Sequence, residues 1–230
     1  MANMKNFLKI VATAVLGMSV AVGASAQNRK LVEGQDYVTL KSADRFEPAT
    51  KAGQIEVVEV FGYLCGHCAA FDPKMSAFES RLPKDVVVRY VPASFSSNWE
   101  PYARAYEAAK ILGVANKSHG AMFRAIHDTR SLPTSGASAQ EIAGFYKAYG
   151  VAPAKFVATF NDGRIDRAMD RNEKWMMRKE VEGTPSIIVD GRYKVLGRSH
   201  DEFLMNTGLL ISEIRAKQPK PVAKPAPRGK

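Results

Sequence analysis

The chain has 230 residues, 46% of them hydrophobic, and only two cysteines, Cys65 and Cys68. That much apolar surface builds a sizeable core, which excludes both a disordered chain and a small scaffold dependent on disulfide staples. The formal charge of +10 invites a nucleic-acid partner, but its distribution argues against one: with the two lysines of residues 1–26 and the six basic residues from Arg215 to Lys230 set aside, the intervening chain keeps 25 basic residues against 23 acidic ones.

Residues 1–26 hold Lys5 and Lys9, the apolar run IVATAVLGMSVAVGA, and Ala24-Ser25-Ala26 ahead of Gln27, the pattern of a cleaved secretory signal. The run of 15 apolar residues falls short of the roughly 20 a membrane-spanning helix needs. A soluble, exported mature chain is therefore expected. Strands are predicted at Asp36–Leu40, at Ile55–Tyr63 and at Asp85–Pro92, the last nearly all apolar and so expected to lie inside a sheet. A helix is predicted from the cysteines to Ser80.

From Asn98 the pattern turns helical for about 80 residues. One helix follows Asn98, carries Pro101 in its first turn and stops at Gly113. Another opens with the capping box Ser138…Glu141 and ends at Gly150, the next starts near Pro153, and a long polar helix spans Arg164 to Val181. Strands return at Ser186–Val189 and Tyr193–Leu196, joined by Asp190-Gly191 as a two-residue hairpin turn. The last helix opens with Ser199…Glu202 and turns Phe203, Leu204, Leu210, Ile211 and Ile214 toward the core. The tail KQPKPVAKPAPRGK has almost nothing to bury and is expected to be disordered.

The chemistry concentrates in CGHC, residues 65–68. A ring this small removes little unfolded-state entropy when it closes, so the pair is better explained by reactivity than by stability. The motif follows a strand and opens a helix, which puts Cys65 where unpaired backbone N–H groups and the helix dipole stabilise a thiolate. His67, between the two sulfurs, can add to that stabilisation. A stabilised thiolate is a good leaving group, which makes a Cys65–Cys68 disulfide an oxidant of other thiols. Glu59 lies six residues before Cys65 on an otherwise apolar strand face with Val57, Phe61 and Tyr63, where desolvation would raise its pKa and let it exchange a proton with Cys68; an outward-facing strand carboxylate is the alternative. Asp72 reads equally as a second modulating acid or a solvated charge. Phe61, Tyr63 and Phe71 read as core, and His119, His127 and His200 as ordinary core or surface histidines.

The motifs EVFGYLCGHC and EGTPSIIVDGRY, with a long helical stretch between them, resemble the DsbA-type periplasmic thiol:disulfide oxidoreductases of the thioredoxin superfamily. The resemblance implies an α/β thioredoxin fold (residues 27–97 and 164–216) with an inserted helical domain (98–163) and a basic tail (217–230). It implies Cys65 as nucleophile, Cys68 as resolving cysteine, Glu59 as buried acid, and Pro185 as a cis-proline facing the disulfide, preceded by the substrate-binding Thr184. It implies a periplasmic monomer that needs no cofactor beyond its own disulfide, acts on unfolded secreted proteins with free thiols, and is reoxidised by a DsbB-type membrane partner. Gly66 stands where the familiar members carry proline, which leaves the oxidising strength open. An isomerase or reductase of the same fold is an alternative, although the stretch from Gln27 to Ile55 leaves no room for an added dimerisation domain. A metal site of Cys65, His67 and Cys68 is a weaker one, because no second cysteine pair completes four ligands.

Overall fold

A computed structural model describes residues 29–219; the secretory signal expected over residues 1–26 and the tail beyond residue 219 lie outside the described residues. The elements are β1 (Tyr37–Thr39), β2 (Ile55–Phe61), α1 (Gly66–Glu79), β3 (Val86–Pro92), α2 (Glu100–Ile111), α3 (Ala115–His127), α4 (Ala139–Tyr146), α5 (Pro153–Phe160), α6 (Gly163–Arg178), β4 (Ser186–Val189), β5 (Tyr193–Val195) and α7 (His200–Lys217). The strands form one sheet in the order β1-β5-β4-β2-β3, with β2 and β3 parallel and the other neighbours antiparallel. This is the thioredoxin fold with helices between β3 and β4, as the resemblance implied.

β2 is buried along its whole length because both sheet faces are covered. Alternation sends Ile55 and Val57 into a core with Phe71 and Met75 of α1 and Leu210 and Ile211 of α7, while Val58 and Val60 pack with Trp175 and Met176 of α6. Beyond them Phe61, Tyr63 and Cys68 join a third core built by α2, α3, α4 and α5. The sheet is thus the floor on which the β2–α1 junction sits.

One expectation is corrected here. β3 was expected inside the sheet, yet it is the edge strand and stays partly exposed over Val86–Tyr90. Its polar members find partners outside the ladder: Arg89 pairs with Glu47 at 3.1 Å and the Tyr90 hydroxyl donates to Glu79 at 2.7 Å. An apolar run reports burial of side chains, and a strand half covered by α1 and α2 satisfies it as well as a central one.

The local signals behave as their chemistry requires. Ser138 and Glu141 form a reciprocal capping box. Asp190 and Gly191 adopt φ of 55° and 66° and the Arg192 N–H donates to the Val189 carbonyl at 3.1 Å, but Val189 pairs with Tyr193, so the hairpin loop holds three residues, Asp190 to Arg192, and not the expected two. At Gly191 a β-carbon would also run into the Asp44 backbone. Ser199 accepts from the Glu202 N–H, but the Glu202 carboxylate takes the Arg198 N–H at 2.9 Å instead of closing the box. α2 begins one residue later than Asn98 suggests, with Trp99 as an N-cap that offers no side-chain bond. Helix α3 was not singled out in the sequence, for it has no side-chain cap and its buried face includes Ser118 and His119 as well as apolar residues.

Candidate active site

Cys65 is the N-cap residue of α1, in extended backbone conformation, with no acidic side chain in the helix's first turn. Its sulfur accepts from the Cys68 thiol and from the backbone N–H groups of His67 and Cys68. These bonds, the one from Cys68 above all, pull the Cys65 pKa down to about 5 against the opposing effect of partial burial. Cys68, buried one helical turn on, is pushed the other way, first by donating its S–H to the Cys65 sulfur and then by desolvation. Two cysteines three residues apart are thereby set at opposite ends of the thiol range, first by the hydrogen bond between them, with backbone N–H groups of the helix start adding to the one shift and burial to the other.

The loop before β4 closes the site. Cys65 Sγ lies 3.4 Å from the Thr184 carbonyl oxygen, and the Thr184-Pro185 peptide bond is cis. His67 is exposed and borders a groove of about 240 Å³ with Thr184, Pro185, His200 and Phe203. Its backbone N–H is what reaches the Cys65 sulfur, so the residue acts on that thiol through its place in the first helical turn.

Glu59 of β2 is 2% exposed, opposite Tyr90 of β3 and Ile187 of β4. Its Oε2 has no hydrogen-bond partner among the described residues. Burial first, then the charges of Asp72 and Glu79, push its pKa well above the carboxylate range. Asp72 is not a solvated charge: it is partly buried on α1, and desolvation raises its pKa against the pull of Arg124. Phe61, Tyr63 and Phe71 are buried, as read.

Two histidines read as ordinary both hold the approach to Cys65. His119 Nδ1 lies 2.9 Å from the Tyr63 hydroxyl, and His127 Nε2 lies 2.7 Å from the Tyr63 carbonyl oxygen. Both belong to α3, eight residues apart, so one helix grips side chain and backbone of the residue two places before Cys65. Burial holds the His119 pKa down at about 3, which keeps the ring neutral. The available sequence signal was the i, i+3, i+4 pattern of Ala115, Ser118, His119, Met122 and Phe123, in which His119 occupies a core position.

Comparison with known proteins gives the same answer from another direction. A family model described as thioredoxin matches residues 49–204. The thiol:disulfide interchange protein DsbA of Pseudomonas aeruginosa is 34% identical over 215 residues, covering 92% of this chain and 99% of that one. DsbA of Azotobacter vinelandii is 32% identical over 192 residues, with 81% and 86% covered. Among solved structures, the oxidoreductase DsbA from Xylella fastidiosa superposes with a TM-score of 0.78 at 46% identity, covering 81% of this chain and 98% of the other. P. aeruginosa DsbA superposes at 0.71 with 33% identity, over 80% and 94%. The paired cysteines at a helix start, the cis-proline loop against them and this extent of likeness make the chain a member of the DsbA family of thiol:disulfide interchange proteins, oxidoreductases that work by dithiol–disulfide exchange.

Proposed function

We propose that this protein passes the Cys65–Cys68 disulfide to newly exported proteins in the periplasm, with Cys65 as the sulfur that clients meet. The observation that carries the reading is the opposite setting of the two thiols. A client thiolate attacks Cys65 Sγ, the Cys65–Cys68 bond breaks, and its electron pair goes to Cys68, which leaves as the poorer thiolate and takes a proton from Glu59. The client's second thiolate then attacks the client sulfur of the mixed disulfide and expels Cys65, whose low pKa makes it the better leaving group. The client loses two electrons and the enzyme gains them. Return to the disulfide requires a membrane oxidant of the DsbB type, and the reverse proton transfer from Cys68 to Glu59.

The neighbouring groups support these roles. The Thr184 backbone, at the groove beside Cys65, pairs with an extended client segment, and Pro185, without an N–H, leaves the sulfur free of a competing donor. His67 lines the same groove. The chemistry needs no cofactor beyond the disulfide, and the secretory signal and A-x-A site read in residues 1–26 agree with a periplasmic address. Cys65→Ser should abolish dithiol oxidation, whereas Cys68→Ser should accumulate mixed disulfides with exported proteins, seen as thiol-sensitive adducts on gels. Equal trapping by both variants would contradict the assignment.

A further inference from the structure

The mechanism above leaves a buried chain of polar side chains unused. Tyr63 of the β2–α1 junction, Asp72 of α1 and His119 of α3 meet in one place. Asp72 Oδ1 lies 3.6 Å from His119 Nε2, and the Tyr63 hydroxyl lies 2.9 Å from Nδ1. While Asp72 is ionised it only accepts, so the neutral ring then turns its Nε2–H toward Asp72, and Nδ1 accepts from the Tyr63 hydroxyl. The ring cannot turn away. Phe61 at 4.7 Å, Tyr90 at 4.8 Å and Phe123 at 5.2 Å between ring centroids enclose it.

Room for the carboxylate is also built in. A β-carbon at residue 120 would lie 2.9 Å from Asp72 Oδ2, so Gly120 lets the acid rest against α3 beside His119. On its outer side the cluster opens into a cavity of about 290 Å³ bordered by Asp72, His119, Gly120 and Arg124. Glu59, whose Oε2 is unpartnered, feels the charge of Asp72, and its cross-strand neighbour Tyr90 packs on the His119 ring. The remaining titratable groups at the cavity are Glu79 of α1, Tyr90 of β3, Tyr106 of α2 and Arg124 of α3, so Asp72 is the acid that both touches His119 and faces the opening.

We propose that His119, anchored by Tyr63, is a positioning residue that holds Asp72 between the cavity and Glu59, where Asp72 passes solvent protons to the buried acid. The inference rests on the reading of Glu59 as the proton partner of Cys68. In the oxidation of a client, Glu59 gives its proton to the Cys68 thiolate and becomes a buried anion. Asp72, protonated from the cavity, returns a proton to Glu59 and is itself reprotonated by water. Reoxidation of the enzyme runs the same transfers backward, and no oxidant beyond those already named is needed.

The test is the single-turnover oxidation of a two-cysteine peptide by the oxidised protein from pH 5 to 8. Four variants divide the question: Glu59→Gln, His119→Phe, His119→Gln and Gly120→Ala, the last of which displaces the Asp72 carboxylate without touching His119 and favours the helix. Glu59→Gln should slow the step and flatten its pH dependence. His119→Phe and Gly120→Ala should each slow it about tenfold at neutral pH, a part of what positioned proton transfer contributes, and shift the midpoint of the profile. His119→Gln, able to face both Tyr63 and Asp72, should recover most of the rate, and the His119→Phe and Gly120→Ala effects should vanish in the Glu59→Gln background. Wild-type rates and profiles in His119→Phe and Gly120→Ala, beside a slow Glu59→Gln, would overturn the positioning role and leave the Glu59 reading intact. A wild-type Glu59→Gln would overturn both.

Discussion

A single thiol sets much of this protein's behaviour with pH. The ordinary value of the Cys65 pKa, 9.0, falls to about 5 in the folded dithiol. A group whose folded pKa is depressed adds stability that is complete above its unfolded value and is lost as the pH falls through the folded one. The reduced protein should therefore gain on the oxidised protein across the window from about 5 to 9, and thermal unfolding of both forms should show their gap narrowing from pH 8 to pH 5 and levelling below it. A gap unchanged over that range would contradict the thiolate assignment. Thiolate absorbance should titrate near pH 5 in the wild type. His67→Ala should keep most of that depression, because it keeps the backbone N–H that reaches the sulfur; a return to the free-thiol range would instead place the effect in the imidazole.

Two elements are held together by groups whose importance only packing reveals. Lys179, fully buried at the end of α6, donates to the Ser42 and Gly191 carbonyl oxygens at 3.0 and 2.6 Å and to Asp44 Oδ1 at 2.9 Å. It ties the β4–β5 turn to the segment before β2. Lys179→Met removes the charge but orphans two carbonyls, and should cost about 2–4 kcal/mol in denaturant unfolding with an unchanged slope. Gly191→Ala strikes the same junction, for its backbone has φ of 66° and the new methyl would press on the Asp44 backbone. A loss of at least about 2 kcal/mol is expected, and a variant as stable as the wild type would show that the turn relaxes. Helix α3 teaches the opposite lesson about sequence. Gly120 and His119 weaken its apolar stripe, yet they are there to seat Asp72 and to hold Tyr63.

For the molecule as a whole, the depressed Cys65 pKa favours the dithiol over the disulfide, so the equilibrium with glutathione should place the protein on the oxidising side of thioredoxin's roughly −270 mV. A potential at or below that value would turn the reading from oxidase to reductase. The sequence alone determined the chemistry and most of the scaffold. Adjacent signals do this work: CGHC after an apolar strand, a capping box at Ser138, Asp190-Gly191 between two strands and Pro153 at a helix start are each decided by neighbours a few residues apart. The place of Cys65 at a helix start also followed from local signals, since a helix terminus is fixed by the residues that form it. Tertiary structure alone decided what depends on distant partners. That β3 lies at the edge, that Asp72 is partly buried, that α3 clasps Tyr63 from both sides and that Lys179 is a buried tie are facts about segments some ten to 140 residues apart in the chain. The physical reason is that desolvation and hydrogen-bond partnership belong to the volume around a side chain. A histidine on a helical stripe reads the same whether it fills space or holds a carboxylate, until the fold brings the carboxylate to it.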